Sequence, residues 1–391
     1  MSLEGVFKAA GRSEFYRDRM RRNLSEIPLL TKKDISENGP PKKGRMLTGK
    51  MRGAYVFSSG GTTSAPTYSV YTHKEFDRST QFLAMDLGEV IDKDCTVANL
   101  FTPGNLWTAH YAVDRALNRI GCNILPLGGG APFSTIVEVM REFEANVVIG
   151  CPSTLLSIAT SIRDPLEVEE VIYGGEFLYK GAEETLRETF GAKNFFSFYG
   201  PVESGYVGMQ KRSFRSTVHR IAEEYHLVEI LGDDLRETKK GRIVLTNLNR
   251  ELMPIIRFDT GDLGKCAGEG KIELLGRMGE TMKIGGAWIS YDTIEKTIKG
   301  MCSPTAVQVK VAAAGPVEKL EILVETRDEV SEDKLLENVV RGLKQEADAF
   351  IGDFISKGSL RIRVKILKPG MIERVEKTGK IRRVVDLRSH L

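Results

Sequence analysis

The sequence predicts an α/β protein that ends in a smaller α+β unit. Three observations carry this. From Cys95 to Gly200, short apolar runs alternate with helical stretches, the pattern of a parallel sheet covered by helices. After Tyr206 the runs become short strands joined by Gly, Asn and Asp turns, which suits antiparallel or barrel-like structure. The 391 residues also exceed what one core usually holds, so more than one unit is expected.

Residues 1–50 are polar and basic, with one or two short helices and a Pro40-Pro41 break. Buried strands are expected at Thr96–Phe101, Asn123–Leu127, Asn146–Gly150, Val168–Tyr173 and Asn194–Tyr199. Helices are expected between them at Trp107–Arg119, Ser134–Glu144 and Gly181–Phe190. The later strands read as Tyr225–Leu231, Gly241–Leu248, Pro254–Phe258 and Lys271–Leu275. Past Arg277 come a helix (Tyr291–Ile298), strands Thr305–Ala312 and Lys319–Thr326, a helix (Ser331–Ala347) and a strand (Leu360–Leu367). The boundary is placed near Arg277–Lys283, giving domains 1–276 and 277–391.

Composition excludes several classes. Hydrophobic residues are 41% and charged residues 28%, which is ordinary globular usage rather than a disordered or collagen-like chain. The net charge of +3 advertises neither a nucleic-acid nor a membrane partner. Cys95, Cys122, Cys151, Cys266 and Cys302 are scattered and form no C-x-x-C pair, so free thiols in a reducing compartment are expected. No apolar run reaches the ~18 residues of a membrane span, and the N-terminus lacks an apolar signal core. A soluble cytoplasmic protein is expected, and a homodimer is compatible with it.

Five segments carry chemistry. Ser58-Ser59-Gly60-Gly61-Thr62-Thr63 follows an apolar strand, Ala54–Phe57; glycines and hydroxyls there can wrap phosphate oxygens, although no Lys-Ser or Lys-Thr pair makes it a Walker loop. Tyr199-Gly200-Pro201-Val202-Glu203 ends a strand, where a ring can stack on a base and a carboxylate can hold Mg²⁺. Arg257-Phe258-Asp259-Thr260-Gly261-Asp262 places a carboxylate beside a Gly turn, suited to two ribose hydroxyls, although a plain hairpin turn has the same look. Arg277 to Gly286 spans the proposed boundary, and Lys377-Thr378-Gly379-Lys380 lies near the C-terminus.

In order and spacing, these segments resemble the signature blocks of the adenylate-forming superfamily, with the phenylacetate–CoA ligase group as the most similar branch. That group also contains synthetases that adenylylate a deazaflavin coenzyme. The resemblance runs from residue 58 to 383. It is strengthened by Phe15-Tyr16-Arg17, Ile27-Pro28-Leu29-Leu30-Thr31-Lys32, Gly150-Cys151-Pro152-Ser153, Gly174-Gly175-Glu176 and Met253-Pro254-Ile255-Ile256-Arg257. The phosphate segment here ends in Pro66-Thr67, where many superfamily members have Pro-Lys.

The resemblance implies a large N-terminal domain of stacked sheets flanked by helices plus a small barrel, and a small mobile C-terminal domain. It implies ATP, Mg²⁺ and CoA. It also implies roles. Ser58, Ser59, Gly60, Gly61, Thr62 and Thr63 would cradle phosphates; Gly174, Gly175 and Glu176 would line adenine. Tyr199, beside Gly200, would stack on it. Glu203 would bind the metal, Asp262 the ribose, and Arg257 ribose or phosphate. Arg277 and Lys283 would contact the cofactor, Lys283 and Gly286 falling where the family's post-hinge loop has its Lys and Gly, and Lys380 would be the catalytic lysine. The implied reaction converts a carboxylic acid to acyl-AMP and pyrophosphate, then transfers the acyl group, with the small domain rotating between the half-reactions.

Three departures stand out. Val202 replaces the usual Thr or Ser before the Glu, so a hydroxyl is missing that Ser204 or backbone would have to replace. Gly279 stands at the hinge position. The phosphate loop carries an extra glycine. Trp107, His110, Tyr111, Leu127, Gly128 and Phe133 are candidates for the acid pocket, and their aromatic character points to an aryl acid. Other readings are AMP transfer to a hydroxyl-bearing coenzyme without CoA, a nucleotide-binding homologue without catalysis, and an acyltransferase built on His110-x-x-x-Asp114.

Overall fold

The computed structural model describes the chain except residues 1, 60–66, 163, 177, 179, 212–217, 278–280, 285–286, 315–316, 347–354, 356–359, 376–379 and 388–391. Two compact units emerge. The first comprises Met1–Cys151, Leu166–Gly175 and Gly191–Gly276; the second comprises Pro152–Pro165, Glu176–Phe190 and Arg277–Leu391. A single cut after residue 276 would place 152–165 and 176–190 in the first domain.

In the first unit five parallel strands lie side by side in the order Asn123–Leu125, Thr96–Asn99, Val147–Gly150, Glu170–Gly174 and Asn194–Tyr199. The apolar runs expected as strands occupy these places. Val147–Gly150 and Glu170–Gly174 are buried along their whole length, as strands covered on both faces must be. The core beneath joins Val97, Ile149, Ile172 and Phe196 to Leu83, Leu87, Val113 and Leu117 of the helices His73–Leu87 and Ala109–Ile120.

The antiparallel strands expected as barrel-like continue this sheet beyond Asn194–Tyr199. Their order is Gly208–Met209, Val218–Ile221, Lys271–Arg277, Phe258–Cys266, Lys240–Asn247 and His226–Leu231, giving eleven strands in all. One expected strand is displaced. Pro254–Phe258 is not a strand; the strand runs Phe258–Cys266. Pro254 has no N–H for a ladder, and Met253, Ile255 and Ile256 instead fill a core with Tyr16, Ile27 and Leu30 of the N-terminal segment.

A separate antiparallel pair, Ala54–Ser58 with Tyr68–Thr72, brackets 60–66 and sets Ser58 opposite Tyr68. The helix that follows starts at a capping box: Thr72 and Glu75 exchange side-chain and backbone hydrogen bonds.

The second unit holds a four-stranded sheet in the order Leu360–Leu367, Val317–Thr326, Pro304–Ala314 and Val384–Asp386. Helices Tyr291–Lys299 and Glu332–Glu346 supply Ile294, Ile298, Leu335 and Val339 to a core with Val309 and Ile322. Among the described residues no helix is long and apolar enough to cross a membrane, and all five cysteines are free.

Candidate active site

Ligands on open α/β sheets sit at the carboxyl ends of the strands. Here Gly174 ends one parallel strand and pairs with Phe198 on the next, immediately before Tyr199 and Gly200. Three expected adenine-side residues therefore come together. A side chain at Gly174 would meet the Phe198 ring at 2.7 Å, and one at Gly200 would meet the Gly205 carbonyl at 2.7 Å, so both positions need glycine. Gly175 adopts φ +81°, which turns the chain away from the strand. Glu176, the next residue, belongs to the second unit and is half-buried.

Asp262 reaches the same place through a bulge rather than the hairpin turn its motif suggested. Arg242 pairs with Leu263 and Val244 with Asp259, so residues 260–262 stand opposite Ile243 alone. Gly261 takes φ +75°, its N–H donates to Asp259 Oδ1, and the Asp262 N–H donates to Thr260 Oγ1. Arg242 pins Asp259 at 2.7 Å. The bulge turns Asp262 toward Tyr199, whose hydroxyl donates to Asp262 Oδ2 at 2.7 Å. The residues expected at adenine and at the ribose are thus joined by one hydrogen bond.

Glu203 follows in a turn in which the carbonyls of Val202, Glu203 and Ser204 each accept from a side chain of another element. Tyr71 donates to the Val202 carbonyl at 2.7 Å, Arg250 to that of Glu203 at 2.9 Å, and Asn247 to that of Ser204 at 2.6 Å. Burial pushes the Tyr71 phenol well above its ordinary pKa, so it stays a donor. Arg250 is fully buried, also bonds the Val70 carbonyl at 2.6 Å, and lies 3.6 Å over the Tyr71 ring. None of these anchors was expected from sequence, because their partners lie more than 40 residues away.

The Glu203 carboxylate accepts from Thr67 Oγ1 at 2.7 Å and is 2% exposed. Among the described residues no three His, Cys, Asp or Glu side chains cluster as a resident metal cage. A lone carboxylate suits Mg²⁺, which keeps waters and is shared with substrate phosphates. Ser204 does not replace the hydroxyl missing at Val202. It is fully buried, with Oγ 2.7 Å from His226 Nε2. Burial lowers the His226 pKa to about 3, so the ring is neutral.

Arg257 is a correction. It takes φ +49° and is buried. Its guanidinium pairs with both Glu229 oxygens, at 3.0 and 3.1 Å, and donates to the Ser25 and Ile27 carbonyls. It ties the N-terminal segment to the sheet rather than holding a ligand.

The pocket residues divide. Ser58 N–H donates to the Leu106 carbonyl at 2.8 Å, which brings the loop carrying Trp107 to the strand Ala54–Ser58. Gly128 takes φ +68°, and a side chain there would meet Pro103 Cδ of that loop at 2.7 Å. His110 Nδ1 lies 2.6 Å from the Phe101 carbonyl and so carries the proton there. This is a structural bond, and it gives the His110–Asp114 acyltransferase reading no support. Tyr111 is 41% exposed and packs edge-on to His110. Phe133 opens the helix Phe133–Glu142, half-buried.

No family model matches the chain. A phenylacetate–coenzyme A ligase of Thermus thermophilus is 25% identical over 400 residues, spanning 94% of this chain and 87% of the relative. One from Aromatoleum evansii is 24% identical over 387 residues, spanning 94% and 85%. The chain is similar along nearly its whole length to phenylacetate–coenzyme A ligases. Its fold is that of the adenylate-forming CoA ligases: a 2-hydroxyisobutyryl-CoA ligase, solved in the postadenylation state with 2-HIB-AMP, superposes with a TM-score of 0.71 at 19% identity, covering 98% of this chain and 88% of that one.

Lys380 is half-buried in the second unit. Its carbonyl accepts from Val375 N–H at 2.8 Å, beside the Arg374–Ile381 bridge. Gly60, Gly61, Thr62, Thr63, Gly279, Gly286, Lys377, Thr378 and Gly379 lie outside the described residues, and for Arg277 and Lys283 only the backbone is described. A cavity of about 390 Å³ in the second unit, lined by Ala159, Ile162, Pro165, Thr189 and Pro369, holds none of the expected site residues. Its Arg327–Glu188 pair is 3.1 Å apart and exposed.

Proposed function

We propose that the protein activates a carboxylic acid, of aryl type, with ATP, and passes the acyl group to the thiol of CoA. The observation that carries this reading is the joined pair Tyr199–Asp262 beside the Thr67–Glu203 pair, within a fold shared with CoA ligases.

A carboxylate is a weak nucleophile, and the α-phosphorus it must attack is shielded by negative oxygens. Preorganised positive charge removes the repulsion. In this reading Tyr199 presents its ring to adenine, held in orientation by its hydroxyl. Asp262 accepts the ribose hydroxyls. Ser58 and Ser59 lead into the phosphate segment. Glu203 holds Mg²⁺, which would supply charge neutralisation at the phosphates. Lys380 adds positive charge as pyrophosphate leaves. The acyl carbon of the resulting adenylate is then attacked by the CoA thiolate, and AMP departs with the carboxylate's oxygen. Trp107 and Gly128, drawn toward the phosphate strand, line the acid side.

The test is pyrophosphate release from ATP across a panel of aryl and alkyl acids, with and without CoA. Pyrophosphate and AMP dependent on one acid class support the reading. Production of ADP, or no dependence on any acid, sinks it.

A further inference from the structure

The family's hydroxyl before the metal-binding carboxylate is absent here, and its place is held by Val202. The structure puts other hydroxyls on that carboxylate. Thr67 is 2% exposed, and its Oγ1 lies 2.7 Å from Glu203 Oε1 and 2.7 Å from Ser59 Oγ. The Thr67 N–H donates to Ser59 Oγ at 3.1 Å, and the Ser59 N–H to the Thr67 carbonyl at 2.9 Å. Ser59 and Thr67 are the residues flanking 60–66.

The proton order follows from chemistry. An ionised carboxylate only accepts, so Thr67 donates to Glu203. Thr67 Oγ1 then accepts from the Ser59 hydroxyl, and Ser59 Oγ accepts from the Thr67 N–H. The bonds run one way, toward the carboxylate, and each strengthens the next. A Lys at position 67, usual where the superfamily has Pro-Lys, has no hydroxyl and could not make this arrangement.

We propose that Thr67 is the positioning residue for Glu203. It takes one carboxylate oxygen and fixes the carboxyl plane, so that the other oxygen is offered to the divalent cation that accompanies the nucleotide. Ser59 orients Thr67, which couples the ends of the phosphate segment to the metal carboxylate. This rests on the ATP-dependent reading above.

The experiment is equilibrium binding of ATP, by calorimetry, in Mg²⁺ and again in excess EDTA, with Mn²⁺ bound in the ternary complex followed by electron paramagnetic resonance. Variants are Thr67→Val, which keeps shape and loses the hydroxyl, Thr67→Ser, which keeps it, and Glu203→Gln with and without Thr67→Val. Losing a hydrogen bond to a charged group predicts about a tenfold or greater drop in Mg²⁺-dependent ATP affinity for Thr67→Val. Binding in EDTA should stay unchanged, Thr67→Ser should remain within about twofold of the parent, and Thr67→Val should add nothing to Glu203→Gln. If Thr67→Val weakens binding equally in Mg²⁺ and EDTA, or not at all, the proposal is overturned while the ligase reading stands. If the parent itself binds ATP without regard to Mg²⁺, both fall. Should Thr67→Val fail to fold by circular dichroism, Thr67→Ala carries the same comparison.

Discussion

Asp262 and Tyr199 provide a test in which the structure sets the magnitudes. The Tyr199 hydroxyl donates to Asp262 Oδ2 at 2.7 Å, so in the free protein one carboxylate oxygen already has a protein partner. Nucleotide binding then exchanges water for ribose hydroxyls. A charged hydrogen bond contributes about 1.5–3 kcal/mol, so Asp262→Ala should cost at least tenfold in ATP affinity. Tyr199→Phe keeps the stacking ring and loses only the orienting hydroxyl. A loss of about 1 kcal/mol, or fivefold, is expected. The two effects should not add. Once Asp262 is gone there is no carboxylate to orient, so Tyr199→Phe should be silent in the Asp262→Ala background. The assay is calorimetric titration with ATP on the four proteins of this cycle. Equal Tyr199→Phe losses in both backgrounds would mean the hydroxyl touches nucleotide directly. Parent-like ATP binding by Asp262→Ala would remove the ribose assignment altogether.

Three further outcomes are expected. Lys380→Ala should slow acyl-adenylate formation by about 10²–10³ while leaving ATP affinity and the reaction of supplied acyl-adenylate with CoA nearly intact; equal loss in both half-reactions would point to a folding role. His226 is neutral when folded, with a pKa near 3, against about 6.5 when unfolded. Its contribution to stability is complete above pH 6.5 and declines by up to about 1.4 kcal/mol per unit as pH falls toward 3. Urea titrations of the parent and His226→Gln should therefore diverge in slope below pH 6.5, and parallel slopes would refute the assignment. Asp86, buried, accepts from Tyr206, Lys211 and Arg220. Asp86→Ala should cost about 3 kcal/mol in unfolding free energy, because among the described residues buried Lys211 is left with half-exposed Glu89 as its ion-pair partner; a loss under about 1 kcal/mol would show that the cluster is dispensable.

The parallel strands were legible because burial on both faces demands continuous apolar runs, as in Val147–Gly150. Tyr199, Glu203 and Asp262 were legible as motif positions. Their geometry was not. A bulge and a hairpin turn draw on the same residues, Asp259-Thr260-Gly261-Asp262, and only the pairing of Arg242 with Leu263 separates them. Arg257 misled because an arginine beside a site motif reads as a ligand contact, whereas its partners Glu229, Ser25 and Ile27 are brought in by tertiary folding. Arg250 left no local signal at all. The sequence carries two further signals. Thr72-x-x-Glu75 marks a helix start, and Thr67, a hydroxyl where many superfamily members have lysine, contacts the Glu203 carboxylate.

The central claim is that the acid's own oxygen attacks the α-phosphorus of ATP. Supplying the accepted acid with ¹⁸O in its carboxylate, together with ATP, Mg²⁺ and CoA, tests it directly. Adenylation places one ¹⁸O in the phosphate of AMP and none in pyrophosphate, with a CoA thioester as co-product. Label in inorganic phosphate alongside ADP would mean attack at the terminal phosphorus, and would contradict adenylation.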